Sequence, residues 1–264
     1  MSAQRLFPTL EDEQVITAAQ QGELPKNGYV SIRGLVSSAE IAYFRPLIGE
    51  SMRRQRPERR RDMDRVASNL WRLDEGIRRL VLARRLGKVA ADLLGVSNVR
   101  IYHDEALFKE PGAGGSPWRR DGYFQPLDGS GTIRVWMPMV DISVDMGMLT
   151  IAAGSHKHGM SYDPRVVEGA GPGYRKYIRE RQLPVTQPAA MRAGDSVWFY
   201  GDTVHSAGAN RTDRTREVMS VIYMAEGTRV RQPVNTAQTA GWNAWLMSLP
   251  PGRLAASELN PLIL

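Results

Sequence analysis

Apolar positions along this chain change their period near residue 98. Before that point they recur at helical spacing. Residues 10–21 form a short amphipathic stretch closed by Gly22. Residues 39–52 form a second one behind Ser37 and Ser38, a helix-capping signal. Residues 77–94 carry Leu80, Ala83, Val89, Leu93 and Leu94 roughly on one side and stop at Gly95, which predicts one long helix. Between the first two lies 28–36 (GYVSIRGLV), strand-like and preceded by an Asn27-Gly28 turn signal.

After residue 98 the texture is that of strands and turns. Val99–Lys109 (VRIYHDEALFK), 132–140 (TIRVWMPMV), 148–152, Ser196–Tyr200 and 218–224 are predicted strands, separated by Gly, Pro and Asp turns. The polar, Gly- and Pro-rich segment 159–190 interrupts them and reads as a lid over a pocket. The pattern predicts one domain over 1–264, mainly β with supporting helices: 1–97 mostly helical support, 98–264 a strand-rich core. At 264 residues such a core forces no second domain.

Composition narrows the function classes. No apolar run approaches the roughly 18 residues of a membrane span. The first residues, 1–14, lack the apolar stretch of a signal peptide, so a cytoplasmic location is expected. The absence of cysteine excludes disulfides, thiolate nucleophiles and cysteine-based zinc sites. A net charge of +7 raises the question of an acidic partner. The excess is almost all arginine, as befits a high-GC bacterial codon habit as much as a binding surface. The densest run, Arg53, Arg54, Arg56, Arg59, Arg60, Arg61 and Arg65, also holds Glu58, Asp62 and Asp64 and is interrupted by Pro57. It reads as a solvated face with internal ion pairs, with an anion-recognition surface as the alternative. No aromatics interleave it, so nucleic acid is not an expected partner.

All four histidines, His103, His156, His158 and His205, fall in the strand-rich part. A mononuclear iron site of two histidines and one carboxylate commonly takes an H-x-D pair and a distant histidine. The chain has no such pair; it has Trp118-Arg119-Arg120-Asp121-Gly122-Tyr123-Phe124. His156 and His158 follow Gly154-Ser155 and read as loop residues. His103 shares strand parity with Glu105 and Lys109, which points it inward.

Four ordered stretches, YHDEALFKEPGAGGSPWRRDGYFQPLD, TIRVWMPMVDI, MGMLTIAAGSH and GDTVHSAGANRTDRTR, resemble the phytanoyl-CoA dioxygenase family of Fe(II)/2-oxoglutarate-dependent oxygenases. The resemblance covers 98–264 and implies a double-stranded β-helix, or jelly roll, with the site in its mouth. It implies Asp121 as the ligating carboxylate and His205 as the distal histidine. Arg216, eleven residues after His205, falls where the family binds the distal carboxylate of 2-oxoglutarate. Trp136, Lys109 and Glu105 fall around that cofactor or substrate-carboxylate pocket. The chain departs from the family at three positions: Arg119 stands in place of the first histidine, and Glu105 and Arg120 stand where relatives usually carry glutamine.

A guanidinium offers no lone pair and adds a positive charge where a cation would sit. Two readings follow. In the first, Arg119, Asp121 and His205 are the catalytic residues of a site working without iron or 2-oxoglutarate. A carboxylate–imidazole pair would move a proton beside a fixed cation, in an isomerisation, cyclisation, elimination or ring-opening. In the second, iron persists on Asp121 and His205, with 2-oxoglutarate, and the protein is a genuine oxygenase. A third possibility is a non-catalytic small-molecule or partner-binding protein. The aromatics Trp118, Tyr123, Phe124 and Trp136 suit an apolar or ring-bearing small molecule with a carboxylate or carbonyl, the kind met in secondary metabolism.

Overall fold

The computed structural model describes residues 8–57, 64–128, 131–158 and 172–264. The middle of the basic run and the first half of the expected lid lie outside these residues. Helix α1 (Ala18–Asn27) starts later than expected. The segment before Thr17 has no cap. Thr17 itself forms a capping box, its hydroxyl accepting from Gln20 N at 3.2 Å and its own N–H reaching Gln20 Oε1 at 2.8 Å. Gly22 lies inside the helix, and Gly28, at φ 82°, ends it. Ser37 and Glu40 form the same box before α2 (Ser38–Gln55), as the serine pair predicts. The expected helix over 77–94 is two: α3 (Glu75–Val81) and α4 (Arg84–Leu94). The break at Ala83 turns Arg85 inward, where its guanidinium, side chain 8% exposed, pairs with Glu40 at 3.0 Å and with Asp12.

The strands are β1 (Tyr29–Ile32), β2 (Arg65–Ser68), β3 (Val99–Lys109), β4 (Ser116–Arg119), β5 (Thr132–Pro138), β6 (Leu149–Ala152), β7 (Val185–Thr186), β8 (Ser196–Tyr200), β9 (His205–Ala207) and β10 (Arg216–Ala225). They form a six-stranded sheet in the order β1-β8-β5-β10-β3-β2 and a four-stranded sheet in the order β4-β9-β6-β7. Every named pairing is antiparallel. This is the expected jelly roll, with one difference: both edge strands of the large sheet, β1 and β2, come from the segment expected to be mainly helical.

Both faces of the large sheet are covered, so its strands read as continuous apolar runs. On the outer face Val99, Ile101, Ile133, Val135, Met137, Met219 and Val221 pack against Phe44, Leu80, Leu86 and Val89 of the helices. On the inner face Leu107, Trp136, Val197, Phe199 and Val218 meet Leu149 and Ile151 of the small sheet. The register between β10 and β3 slips at Tyr102, since Ile222 pairs with His103 but Tyr223 pairs with Ile101. That bulge resets the parity of β3, and His103, Glu105, Leu107 and Lys109 all turn inward.

Helices α5 (Pro172–Glu180) and α6 (Thr236–Leu246) complete the structure. No helix among the described residues is long and apolar enough to cross a membrane. Helix α6 is pinned against β3 by Asn260, fully buried, whose amide nitrogen reaches Ile101 O at 3.1 Å, Tyr102 O at 3.3 Å and Trp245 O at 3.1 Å. Asn260→Ala removes this shared donor and is expected to destabilise the protein by about 1–3 kcal/mol in denaturant titration.

Candidate functional site

A cavity of about 480 Å³ opens between β3, β5, the β4 end and α6. One side is smooth and apolar, formed by Ala237, Ala240, Gly241, Ala244 and Trp245 of α6 with Ile222 and Phe124. The other is ionic, formed by Asp64, Glu105, Arg119, Asp121 and Arg134. His103 stacks on Trp245 with ring centres 4.5 Å apart. None of the described residues of the expected lid lines this cavity; α6 does instead. Among the aromatics singled out from sequence, Phe124 lines the cavity. Trp136 lies deeper and Trp118 packs on the α5 side.

The ionic side is held by a residue that sequence reasoning passed over. Arg134, on β5 two residues before Trp136 and of the same parity, donates through Nε to Asp121 Oδ2 at 2.7 Å and through Nη2 to Oδ1 at 3.2 Å. Its Nη1 donates to Glu105 Oε2 at 2.9 Å and to Ser220 Oγ at 2.8 Å. Burial alone would push both carboxyl groups up. The Arg134 charge and hydrogen bonds, joined by His103 at Glu105 and by His205 and Arg119 at Asp121, together outweigh it, and both Asp121 and Glu105 sit below their usual range. Burial would likewise pull Arg134 down, but the two carboxylates raise it instead.

Arg119 ends β4 directly opposite His205 on β9, and Asp121 opens the following turn. The four residues therefore converge, although Asp121 and His205 do not touch: Nε2 lies 3.9 Å from Oδ1, beyond a hydrogen bond. His205 Nδ1 lies 3.0 Å from Thr203 O, which assigns the proton to that nitrogen and leaves Nε2 as a lone pair. Burial holds the imidazole down to about 4, with Asp121 raising it and Arg119 lowering it. His205 does not line the cavity. It lines a separate hollow of about 10 Å³, one water in size, behind Asp64, Arg119 and Arg134, which border both spaces. Arg120 turns away to Asp202 at 3.0 Å. His156, in a short 3-10 turn, packs on Tyr200 with a ring nitrogen 3.1 Å from Pro25 O of α1.

The pocket expected from Arg216, Trp136, Lys109 and Glu105 is divided. Glu105 faces the cavity; the other three gather around the hollow and its border. Arg216, 1% exposed, donates to Gly147 O at 2.6 Å and lies over the Trp136 ring at 5.5 Å. Its Nη2 is paired with Asp64, a close contact that the sequence did not signal, because Asp64 sits in the basic run before β2. Asp64 also accepts from Ser116 Oγ at 3.0 Å and lies 3.8 Å from Lys109 Nζ. Burial brings Lys109 down to about 8, Asp64 opposing and Arg216 and Arg119 adding to the shift. Its ammonium is held on Gly114 O at 2.7 Å. Among the described residues no group of three His, Cys, Asp or Glu side chains is gathered as a metal-binding set.

A jelly roll with an ionic cavity in its mouth defines an oxygenase-fold enzyme class. Residues 24–218 match the phytanoyl-CoA dioxygenase (PhyH) family, and the chain belongs to it. The phytanoyl-CoA dioxygenase domain-containing protein 1 of Danio rerio is 29% identical over 152 residues, covering 55% of this chain and 52% of its own length. The chain thus spans about half the length of that relative. Among solved structures, the non-heme alpha ketoglutarate dependent carbocyclase SnoK from nogalamycin biosynthesis superposes with TM-score 0.80 at 25% identity, covering 97% of this chain and 98% of its own. The epimerase SnoN, in complex with Fe3+, alpha ketoglutarate and nogalamycin RO, gives 0.81 at 23% identity over 93% and 97%.

Arg134→Met would leave two buried carboxylates without their shared cation. It is expected to cost about 3–5 kcal/mol of stability, read from denaturant unfolding. The depressed His205 gives a separate signature. The unfolded imidazole binds a proton below its usual 6.5 and the folded one only near 4. Stability is therefore full above 6.5 and is lost as pH falls from 6.5 towards 4. His205→Gln is expected to flatten unfolding free energy across that window and to leave the carboxylate-driven loss at lower pH.

Proposed function

We propose that this chain is a small-molecule tailoring enzyme that works without iron, through proton transfer and ionic stabilisation by its own side chains. The reaction class is an isomerisation, cyclisation, elimination or ring-opening. The observation that carries this reading is the two-armed hold of Arg134 on Asp121, beside Arg119 opposite His205. An iron centre takes lone pairs from its protein ligands. Here both Asp121 oxygens face guanidinium N–H groups, Arg119 offers none, and His205 Nε2 is the one bare donor. These residues do not fit a site of two histidines and a carboxylate, and no step is routed through iron.

The cosubstrate position supports the same reading. Family members hold the distal carboxylate of 2-oxoglutarate at the position of Arg216. Here an internal carboxylate, Asp64, holds that guanidinium, and the remaining space is about 10 Å³. The likeness to a carbocyclase also accords with a ring-forming or ring-rearranging role.

The second reading is an Fe(II)/2-oxoglutarate oxygenase. It is favoured by the iron and alpha ketoglutarate bound in SnoN. It requires Asp121 to leave Arg134 and Asp64 to leave Arg216. Iron content of protein purified with iron supplied, followed by anaerobic titration with 2-oxoglutarate, separates the two. The expected result is far less than one iron per chain and no metal-to-cosubstrate absorption band. One iron per chain with that band overturns the proposal. Asp64→Ala, which frees Arg216, is expected to gain a 2-oxoglutarate-dependent rise in Tm that the wild type lacks.

A further inference from the structure

Acid–base work in the cavity needs a group the substrate can reach, and the ionic residues differ sharply in this respect. Asp121 has both oxygens taken by Arg134. His205 lies in the hollow behind the cavity. Asp64 is engaged by Arg216 and Ser116. Glu105 is different. Its Oε2 accepts from Arg134, and its Oε1 has no hydrogen bond among the described residues. Its side chain remains 20% exposed where it borders the cavity. The bulge at Tyr102 is what turns it there. The cations on the same cavity are Arg134, saturated by its carboxylates and Ser220, and Arg119. The rest of the lining sets Asp64, His103, Ser116 and Gln125 beside the apolar face of α6, and the His103 ring is taken up in its stack on Trp245.

We propose that Glu105 is the proton acceptor of this cavity, and that its substrate is a ring-bearing, mainly apolar carbonyl compound with an acidified C–H, such as one between two carbonyls. The inference rests on the acid–base reading above and names its base and substrate class. The proton passes from the substrate carbon to Glu105 Oε1. The C–H electron pair becomes the enolate double bond, and the charge gathers on the carbonyl oxygen, which Arg119 holds through its N–H groups. Return of the proton to another carbon or the other face completes an isomerisation, and no oxidant is consumed. The demand for an acidified C–H follows from the base. Burial raises Glu105, but Arg134 and His103 together bring it below the ordinary glutamate range. So it is ionised at neutral pH and weakly basic, matched to acidic carbons.

The test uses a carbon acid of the same character, nitrobenzisoxazole, a planar apolar ring. A base takes its single ring C–H proton as the N–O bond breaks, releasing a coloured cyanonitrophenolate. The full chain is treated with EDTA so that iron plays no part. Wild type is expected to turn the probe over faster than acetate at matched concentration. Glu105→Gln, which keeps an acceptor for Arg134 but no base, is expected to lose roughly 10²-fold. Glu105→Asp should retain part of the rate. Ala240→Trp, which fills the α6 side without touching Glu105, should remove it while Tm stays near wild type. The proposal is overturned by equal rates in wild type and a folded Glu105→Gln, or by a wild type no faster than acetate. If Glu105→Gln does not fold, full activity in Ala240→Trp overturns it instead. Stoichiometric iron in the earlier titration would remove the metal-free reading and leave this measurement intact; failure here alone removes Glu105.

Discussion

Arg134 is the interaction on which the site depends. Its guanidinium is buried in the middle of a strand, and it binds carboxylates from two other elements, Glu105 on β3 and Asp121 after β4. A buried cation between two carboxylates is stable only when its donors and their acceptors are matched in geometry. Here Ser220, on the strand between β5 and β3, accepts a further N–H and donates its own O–H to Val135 O at 2.9 Å. The network therefore crosses three adjacent strands of the large sheet and reaches the turn that leaves the small one. It fixes the mutual position of the two sheets where the cavity opens. It also keeps two carboxylates ionised in a place where burial alone would neutralise them.

A second ionic group lies behind the first and is arranged on the opposite principle. There the cations outnumber the anion: Arg216 and Lys109 share Asp64, with Arg119 close enough to bear on both. Lys109 responds by weakening as a base, and its ammonium rests on a backbone carbonyl. Gly147, at φ 82°, makes room for this packing, since a Cβ there would lie 2.8 Å from the lysine chain and 2.9 Å from Gly208 O. Arg119 stands at the border of the two groups, one with surplus negative charge and one with surplus positive charge. Its position makes it the cation best able to face an incoming anion from the cavity side.

The strands were largely legible in the residues because their ends are chemically marked. Val99–Lys109 and Ser196–Tyr200 are apolar runs stopped by turn residues, and the sheet adopts those bounds. Helix ends were less legible where a cap competed with periodicity. Thr17 and Gln20 outweighed the apolar spacing of 10–21, and the extended backbone at Ala83 interrupted that of 77–94. Helix α6 went unforeseen because its small residues face a cavity rather than a core, so its sequence lacks a clear apolar stripe. Strand pairing sets Arg119 opposite His205 with Asp121 at the following turn, but His205 turns into the hollow and the carboxylate–imidazole pair that the resemblance implied is not formed. Arg134 was hidden within an apolar strand, where only parity with Trp136 marked it. Asp64 was hidden among arginines, and no local pattern distinguishes a charge that turns inward from its solvated neighbours.

The consequence for chemistry lies in how positive charge is delivered. A metal ion polarises a bound oxygen as a Lewis acid and can change its coordination during a reaction. A guanidinium supplies a fixed plane of N–H donors and accepts no electron pair. On the proposed reading Arg119, the cation not consumed by the network, places positive charge in a form suited to holding an oxyanion already generated by proton removal. On the proposed reading, the anion must then be made by a base within the same cavity. Asp121 cannot become that base without giving up its two contacts with Arg134. The carboxylate oxygen left over from the network is the one whose protonation leaves the pairing of Asp121 undisturbed. Catalysis and stability are in this way assigned to different oxygens around a single arginine.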